Sequence, residues 1–191
     1  MTWLVVGLGN PGEQYAPTRH NVGQMVIDDL IDRHKIKLSS HKSRTEIAAF
    51  KLGVGENLQS IILAKSKSYM NESGGPIKAL AKFYSVETNK IIALHDELDI
   101  GFSTIRSKFA GGDNGHNGLK SMTSAFGTPE YYRIRLGIGR PIGEQDPADF
   151  VLKAFSKIEQ KDLPEFITRG SDVVESLILS GLEITQTRFN G

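Results

Sequence analysis

The sequence contains no cysteine and no long apolar run. Without cysteine the chain can form no disulfide, thiolate nucleophile, zinc–thiolate site or iron–sulfur cluster. No apolar stretch reaches the roughly 18 residues of a membrane span, so no transmembrane segment is expected. Residues Met1–Leu4 enter a strand-like run without a basic segment followed by an apolar one, and no signal peptide is expected. These absences predict a cytoplasmic protein.

The Gly-x-Ser-x-Gly signature of serine hydrolases is also missing from the sequence. A hydrolase built from this chain would therefore use water as its nucleophile, with a histidine–aspartate pair as the base.

The 191-residue chain has ordinary apolar and charged fractions, which predict one globular domain over residues 1–191. Its net charge is only +1 but is unevenly distributed. Residues 104–140 hold six basic side chains against two acidic ones, whereas residues 144–191 hold nine acidic against five basic. Such a basic segment can attract phosphate groups, although a solvated surface explains the same composition.

Apolar periodicity predicts an α/β fold, a single three-layer domain with a twisted mixed β-sheet flanked by helices. The predicted strands are Thr2–Leu8, Thr45–Leu52 and Gln59–Lys65 as a hairpin, Lys90–His95, Ser103–Phe109 near an edge, and Tyr131–Gly139. The predicted helices are His20–His34, one capped by Ser73, a short one over Leu119–Phe126, and one from a Ser156–Glu159 capping box to about Ser180, interrupted near Pro164.

Three asparagine-bearing segments lie where predicted strands end or predicted helices begin. They are Gly7–Gly12, Ser68–Gly74 and Gly115–Gly118, with Thr18–Asn21 following the first and His95–Asp99 lying between the other two. The strand ends of an α/β sheet are where its chemistry is commonly found. Together these segments offer an imidazole, carboxylates and neutral amides, a set suited to activating water beside an acyl group.

His20 is the candidate general base, because an unperturbed imidazole titrates near about pH 6.5 and can accept a proton from water. Its place at the predicted start of a helix is expected to disfavour the protonated form. Asp96 is the candidate partner that fixes the imidazole tautomer, and Glu97 and Asp99 compete for that role. His95 is expected to be buried at its strand end.

Asn10, Asn71 and Asn117 carry amides that both donate and accept hydrogen bonds. They can therefore bind a peptide bond or donate to a developing oxyanion. Turn formation is the alternative explanation, and it is strongest for Asn10 and Asn117, which precede proline and glycine.

Two cofactor hypotheses fit the sequence poorly. Gly7-x-Gly9-x-x-Gly12 matches the dinucleotide fingerprint, but Pro17 falls where the required helix should continue. His95 with the acids that follow it suggests metal ligands, but the expected second ligand cluster is missing. We therefore expect neither a nucleotide cofactor nor a metal.

Taken together, these segments closely resemble bacterial peptidyl-tRNA hydrolases. The matching stretches run in order over nearly the whole chain: Gly7–Gly12 with Tyr15 and Thr18–Asn21, Tyr69–Asn71 with Ser73–Gly74, His95–Asp99, Gly115–Leu119, Arg133–Pro141 and Phe150–Phe155. The sequence departs from the family pattern at Ser66 and Ser68, where proline and threonine are usual. It also departs at Asp113 and Asn114, which interrupt a loop that is usually richer in glycine.

The resemblance implies a monomeric, cytoplasmic enzyme that hydrolyses the ester between a peptide or N-acyl-amino acid and the 3′ end of tRNA, recycling tRNA from aborted translation. It implies a catalytic set of His20, Asp96 and Asn10. It further implies substrate-binding roles for Tyr15, Met70, Asn71, His116 and Asn117, and contacts of Lys108 and Arg135 with the 5′-phosphate at the acceptor end of the tRNA. No metal, cofactor or membrane is implied.

Two other functions remain compatible with the sequence. One is an RNA-binding protein of the same fold that has lost hydrolysis. The other is a small-molecule peptidase, amidase or N-acyl ester hydrolase that uses the same histidine, aspartate and asparagine groups without an RNA body.

Overall fold

Seven strands form one mixed β-sheet in the computed structural model, which describes residues 1–190. The strands are β1 (Thr2–Gly7), β2 (Ser39–His41), β3 (Thr45–Leu52), β4 (Gln59–Ser66), β5 (Ile91–Glu97), β6 (Ile105–Phe109) and β7 (Tyr132–Gly137). Their order across the sheet is β2-β3-β4-β1-β5-β7-β6. The four neighbouring strands β4, β1, β5 and β7 run parallel to one another, and the pairs β2–β3, β3–β4 and β6–β7 are antiparallel.

In the part of the chain that the structure describes, six α-helices accompany the sheet: α1 (Val22–His34), α2 (Gly74–Phe83), α3 (Asn117–Phe126), α4 (Pro147–Val151), α5 (Glu159–Ser180) and α6 (Leu182–Phe189). Within residues 1–190, none of them combines the length and the apolar character needed to cross a membrane.

The side chains of β1 show how the sheet separates two helical layers. Trp3 and Val5 pack in the core formed with α1 and α5, whereas Leu4 and Val6 pack in the core formed with α2 and α3. Successive residues of a strand point to opposite faces, so a strand covered on both sides is apolar throughout. This arrangement confirms the predicted α/β fold with helices on both faces of a mixed sheet.

The predicted strands are all present, and β3 and β4 form the predicted hairpin with Thr45 opposite Ser66. The strand near the edge is β6, which ends the sheet. The capping box also forms, since the Ser156 N–H donates to Glu159 Oε1 at 2.9 Å and the Glu159 N–H donates to Ser156 Oγ at 3.1 Å.

Three predictions about helices are wrong in detail. The helix α5 continues through Pro164, because its buried face, which includes Phe166 and Val173, packs against the sheet and α1 and outweighs one missing hydrogen bond. Ser73 occupies the N-cap position of α2, but its side chain makes no capping hydrogen bond; its hydroxyl donates instead to the Met70 carbonyl at 2.8 Å. The helix α1 begins at Val22, after a 3-10 turn over Arg19–Asn21. The short elements β2, α4 and α6 were not predicted.

The order of the strands determines where the site lies. After β1 the chain continues to β2, β3 and β4, which lie on one side of it, whereas after β5 it continues to β6 and β7, which lie on the other side. The loops that follow β1 and β5 therefore diverge and leave a crevice at the carboxyl ends of these strands. Gly23 lets α1 press against β5, because a Cβ there would lie 2.2 Å from the Leu94 carbonyl oxygen. This contact brings His20 towards Asp96.

Candidate active site

A cavity of about 580 Å³ opens at the carboxyl ends of β1 and β5. Its lining includes every residue that the sequence predicted as catalytic or substrate-binding: Asn10, Tyr15, His20, Met70, Asn71, Asp96, His116 and Asn117. The two predicted phosphate-binding residues, Lys108 and Arg135, are not among the lining residues. Four residues around α4 (Pro147, Ala148, Val151 and Leu152) complete one wall.

His20 and Asp96 form a direct pair beside this cavity. The Nδ1 atom of His20 lies 3.0 and 2.9 Å from the two carboxylate oxygens of Asp96. An ionised carboxylate only accepts hydrogen bonds, so Nδ1 carries the proton and donates it to Asp96. The lone pair of a neutral His20 is therefore on Nε2, the nitrogen on the other side of the ring.

The electrostatics of this pair correct one expectation from the sequence. Burial disfavours the charged imidazole, but the charge and the hydrogen bond of Asp96 favour it more, and the pKa of His20 is raised above its usual value. The contact with Asp96 thus outweighs the effect expected from the helix start. Although burial opposes ionisation of Asp96, its electrostatic interactions and hydrogen bonds with the imidazoles of His20 and His116 hold the pKa of its carboxyl group well below its usual range.

His116 is a second donor to Asp96. Its Nδ1 accepts from the backbone N–H groups of Gly118 at 3.1 Å and Leu119 at 3.3 Å, where it caps the start of α3. Because Nδ1 is an acceptor there, the proton of the neutral ring is on Nε2, which donates to Asp96 Oδ1 at 2.7 Å. The carboxylate is thus held from two sides by imidazole N–H groups.

His95 is buried behind these groups, as expected. Its Nδ1 lies 2.9 Å from the backbone carbonyl oxygen of Asp96, to which it donates, and its ring packs edge-on against His116 with centroids 5.1 Å apart. Burial, together with the electrostatic interaction with the neighbouring His116 imidazole, lowers the pKa of His95 to about 3. His95 is therefore neutral at physiological pH and supports the backbone of Asp96.

Asn10 is held in one orientation by the groups around it. Its Oδ1 accepts the Met70 N–H at 2.7 Å, so its Nδ2 must be the atom left to donate. The side chain of Asn21 pairs with the backbone of Asn10 in both directions, at 2.9 Å for each hydrogen bond. Asn21 is 1% exposed and supports the backbone of Asn10. Its buried pairing was not foreseen in the sequence, although it follows His20 directly.

The remaining predicted substrate residues surround the cavity in different ways. Met70 is buried, whereas Asn71 and Asn117 have exposed side chains. Tyr15 meets Tyr69 edge-on with ring centroids 6.2 Å apart. The cavity therefore presents polar amides beside aromatic and thioether surface, as pockets for small organic groups commonly do.

The two serines that depart from the family pattern stabilise the segment that carries Met70. The Ser68 N–H donates to Ser66 Oγ at 3.0 Å, and the Ser68 hydroxyl donates to the Glu72 carbonyl at 3.0 Å. These contacts fix the turn in which Met70 and Asn71 lie.

Of the three candidate acids, Asp96 is the one that hydrogen-bonds His20, whereas Glu97 and Asp99 pair with arginine side chains. Glu97 Oε1 accepts from Arg135 Nε at 3.2 Å and Nη2 at 3.1 Å. Asp99 accepts from Arg140 Nε at 2.6 Å. Asn114, one of the two residues that interrupt the glycine-rich loop, donates to both Glu97 and Asp99. It thereby ties this loop to the end of β5.

The predicted phosphate-binding residues lie next to this network, outside the cavity lining. Lys108 and Arg133 are opposite each other on β6 and β7, and Arg106 is opposite Arg135. Partial burial and the neighbouring charges of Arg135 and Arg133 lower the pKa of Lys108. Glu97 offsets much of the charge of Arg135, so Lys108 and the exposed Arg106 contribute the least compensated positive charge here.

His20, Asp96 and His116 have ligand atoms within 4.8 Å of one another, a spacing that a metal ion could bridge. A metal-bound imidazole normally donates its other N–H to a neighbour. In His116 the other nitrogen accepts two backbone N–H groups, which is incompatible with that role. The hydrogen-bonded arrangement therefore fits a proton-transfer site better than a metal centre.

The fold and the site define a class of protein: an α/β protein with a hydrogen-bonded histidine–aspartate pair in a cavity at the carboxyl ends of its parallel strands. Comparison with known proteins identifies the family. The family model described as peptidyl-tRNA hydrolase matches residues 4–191, and the chain belongs to this family. It is therefore an enzyme, a hydrolase of peptidyl-tRNA.

Individual relatives match over nearly their whole length. The peptidyl-tRNA hydrolase of Kineococcus radiotolerans is 48% identical, covering 98% of this chain and 96% of that protein. The peptidyl-tRNA hydrolase of Frankia alni is 50% identical, covering 98% and 93%. The crystal structure of peptidyl-tRNA hydrolase from Acinetobacter baumannii superposes with a TM-score of 0.89 at 31% identity, covering 100% of this chain and 95% of that one.

Proposed function

We propose that His20 removes a proton from water as that water attacks the ester carbonyl carbon of peptidyl-tRNA. The observation that carries this mechanism is the contact of His20 Nδ1 with both oxygens of Asp96, at 3.0 and 2.9 Å. It leaves Nε2 as the basic nitrogen of a residue that lines the cavity. Asp96 fixes this tautomer and stabilises the imidazolium that forms when water gives up its proton.

Asn10 stabilises the oxyanion of the tetrahedral intermediate. Its Oδ1 is engaged by the Met70 N–H, so its Nδ2 is a preorganised donor with little freedom to rotate away. When the intermediate collapses, the bond from carbon to the terminal ribose oxygen breaks and the imidazolium returns its proton to that oxygen. The products are a tRNA with a free terminal hydroxyl group and a peptide carboxylic acid, which releases its proton to solvent.

Asn71 and Asn117 recognise the blocked α-nitrogen of the substrate. In peptidyl-tRNA this nitrogen is a neutral amide, which can pair with an asparagine that both donates and accepts. Free aminoacyl-tRNA presents an ammonium group with donors only. A site built for the amide rejects it, because its own polar groups would lose their partners.

Lys108 and Arg135 contact phosphates at the acceptor end of the tRNA. Phosphate contacts position the RNA without reading its sequence. Arg135 shares its charge with Glu97, so Lys108 makes the stronger electrostatic contribution.

In this proposal residues 1–191 form one domain that works as a cytoplasmic monomer without a cofactor or metal. The matching relatives have nearly the same length as this chain, which supports a single functional unit. Gel filtration at micromolar concentration and activity after treatment with a chelator test the monomeric state and the independence from metal.

The decisive experiment measures release of N-acetyl-amino acid from N-acetyl-aminoacyl-tRNA. Unblocked aminoacyl-tRNA and the His20→Ala variant are run beside it. We expect cleavage of the blocked substrate alone, and its collapse in the variant. Cleavage that persists in His20→Ala would reject His20 as the base.

The same assay separates the two other candidate functions. An RNA-binding protein without activity would hold tRNA equally well before and after His20→Ala and release no peptide. A small-molecule ester hydrolase would cleave N-acyl-amino acid esters without an RNA body, and the Lys108→Ala and Arg135→Ala substitutions would leave its rates unchanged.

A further inference from the structure

Arg19, the residue before His20, is 7% exposed although its guanidinium group is charged. A buried charge is tolerated only when it is paired and hydrogen-bonded. Nη2 of Arg19 donates to Glu159 Oε1 at 2.7 Å, and Nη1 donates to the Phe150 carbonyl at 3.2 Å. The guanidinium carbon also lies 4.0 Å from the centre of the Phe150 ring. One side chain thus joins the turn of His20 to α4 and to the start of α5.

The backbone strengthens the same connection. The Arg19 N–H donates to the Lys153 carbonyl at 3.0 Å, and Thr18 forms an isolated antiparallel bridge with Ala154. The segment that ends α4 is therefore fastened to residues 18 and 19 by backbone and side-chain bonds together.

This fastening lies next to the cavity wall. Val151 and Leu152 line the cavity, and they lie between the two residues, Phe150 and Lys153, whose carbonyl groups Arg19 holds. Arg19 does not line the cavity, so its influence on a bound substrate must pass through these neighbours.

We infer that Arg19 is a positioning residue that sets the distance between His20 and the Val151–Leu152 wall, and thereby determines which acyl groups are cleaved well. The inference rests on the proposed function, because it places the acyl group between that base and that wall. Arginine suits the position since its planar group can donate in two directions and stack at the same time, which lysine cannot do.

The test compares Arg19→Met with Arg33→Met as a matched control. Arg33 also joins α1 to α5 through ion pairs, with Asp172 at 3.0 Å and with Glu175, but it is not a lining residue of the cavity. The values of kcat/KM are measured on N-acetylglycyl-tRNA and N-acetylphenylalanyl-tRNA. In Arg19→Met we expect the ratio of the two values to change by about tenfold or more, because a displaced wall alters the fit of large and small groups differently.

A purely structural role would lower both values in proportion to the folded fraction and leave their ratio unchanged, as we expect for Arg33→Met. An unchanged ratio in Arg19→Met would overturn the inference. Should Arg19→Met fail to fold, Arg19→Lys and Glu159→Gln carry the same test. Both variants are expected to shift the ratio in the same direction, by a smaller factor than Arg19→Met. An unchanged ratio in both variants would contradict the inference.

A readout independent of hydrolysis uses the absence of cysteine in the sequence. A spin label attached to the introduced cysteine of Lys153→Cys is the only label on the protein, and the side chain of Lys153 is exposed. We expect greater label mobility when Arg19→Met is added and no change when Arg33→Met is added. Equal mobility in both would reject the role of Arg19. If the unsubstituted protein cleaved neither tRNA substrate, the proposed function would be rejected. The mobility of the spin label would still show whether Arg19 holds the Val151–Leu152 wall in place.

Discussion

His116 donates its Nε2–H to Asp96 Oδ1 at 2.7 Å while its Nδ1 caps the start of α3. The cap determines the tautomer, and the tautomer makes the ring a donor to the carboxylate. Asp96 therefore receives N–H groups from two imidazoles, one of which is the proposed base.

His116→Asn separates these two functions of the ring. Asparagine is a good N-cap residue, so α3 should keep its start, but its side chain is too short to replace Nε2 as a donor to Asp96. We expect kcat to fall by about tenfold to a hundredfold, the effect of losing one hydrogen bond to a charged group. Steady-state kinetics measure this fall, and circular dichroism checks that the helix content is unchanged. An unaltered kcat would show that His20 alone suffices to hold Asp96.

Asp96→Asn should be more damaging, because an amide can hold His20 in the wrong tautomer. The expected loss in kcat is roughly 10²–10⁴-fold, by analogy with other catalytic histidine–aspartate pairs. Asp99→Asn is the matched control, since Asp99 contacts Arg140 and Asn114 rather than His20. Equal losses in the two variants would contradict the assignment of Asp96 as the orienting acid.

The pH dependence of kcat/KM should reflect the raised pKa of His20. The base must be neutral to accept a proton, so activity falls as the pH drops through this pKa, and the fall begins above about pH 6.5. In Asp96→Asn the charge that raises the pKa is gone while burial remains, so the acid limb should move to lower pH. If the acid limb of the Asp96→Asn profile stays at the same pH, a group other than His20 controls it.

Asn10→Asp tests the donor role of the side chain. The carboxylate keeps an oxygen for the Met70 N–H but replaces Nδ2 with a second acceptor. We expect kcat to fall by about 10²–10³-fold, the usual cost of losing one oxyanion donor. Asn10→Ala serves as the comparison, because it removes the donor without adding charge. If both variants kept full kcat, the oxyanion would have to be stabilised elsewhere.

Lys108→Ala should weaken the salt dependence of tRNA hydrolysis. Each phosphate contact contributes about one unit to the slope of log kcat/KM against log salt, so the slope should become shallower by about that amount. Lys82→Ala, which changes an exposed lysine at the end of α2, should leave the slope unchanged. A slope that is flat already in the unsubstituted protein would rule out the phosphate contacts.

Within residues 1–190, the sequence by itself determined six of the seven strands, four of the six α-helices and the part of the cavity lining that contains His20, Asp96 and the asparagines. Apolar alternation and continuous apolar runs report burial directly, which is why β1 and the β3–β4 hairpin were predicted within a residue or two. Ordered motifs at strand ends identified His20, Asp96 and the asparagines, because topology brings the carboxyl ends of parallel strands to one edge.

Only the tertiary structure decided how these groups interact. The raised pKa of His20 depends on its distance to Asp96 across 76 positions in sequence, which no local pattern encodes. The pairing of Arg135 with Glu97 and the contacts of Arg19 are likewise long-range. Pro164 stays within α5 because packing of the helix against its neighbours outweighs a local preference. Local signals report which surface is buried, whereas charge and hydrogen-bond partners are determined only when distant segments meet.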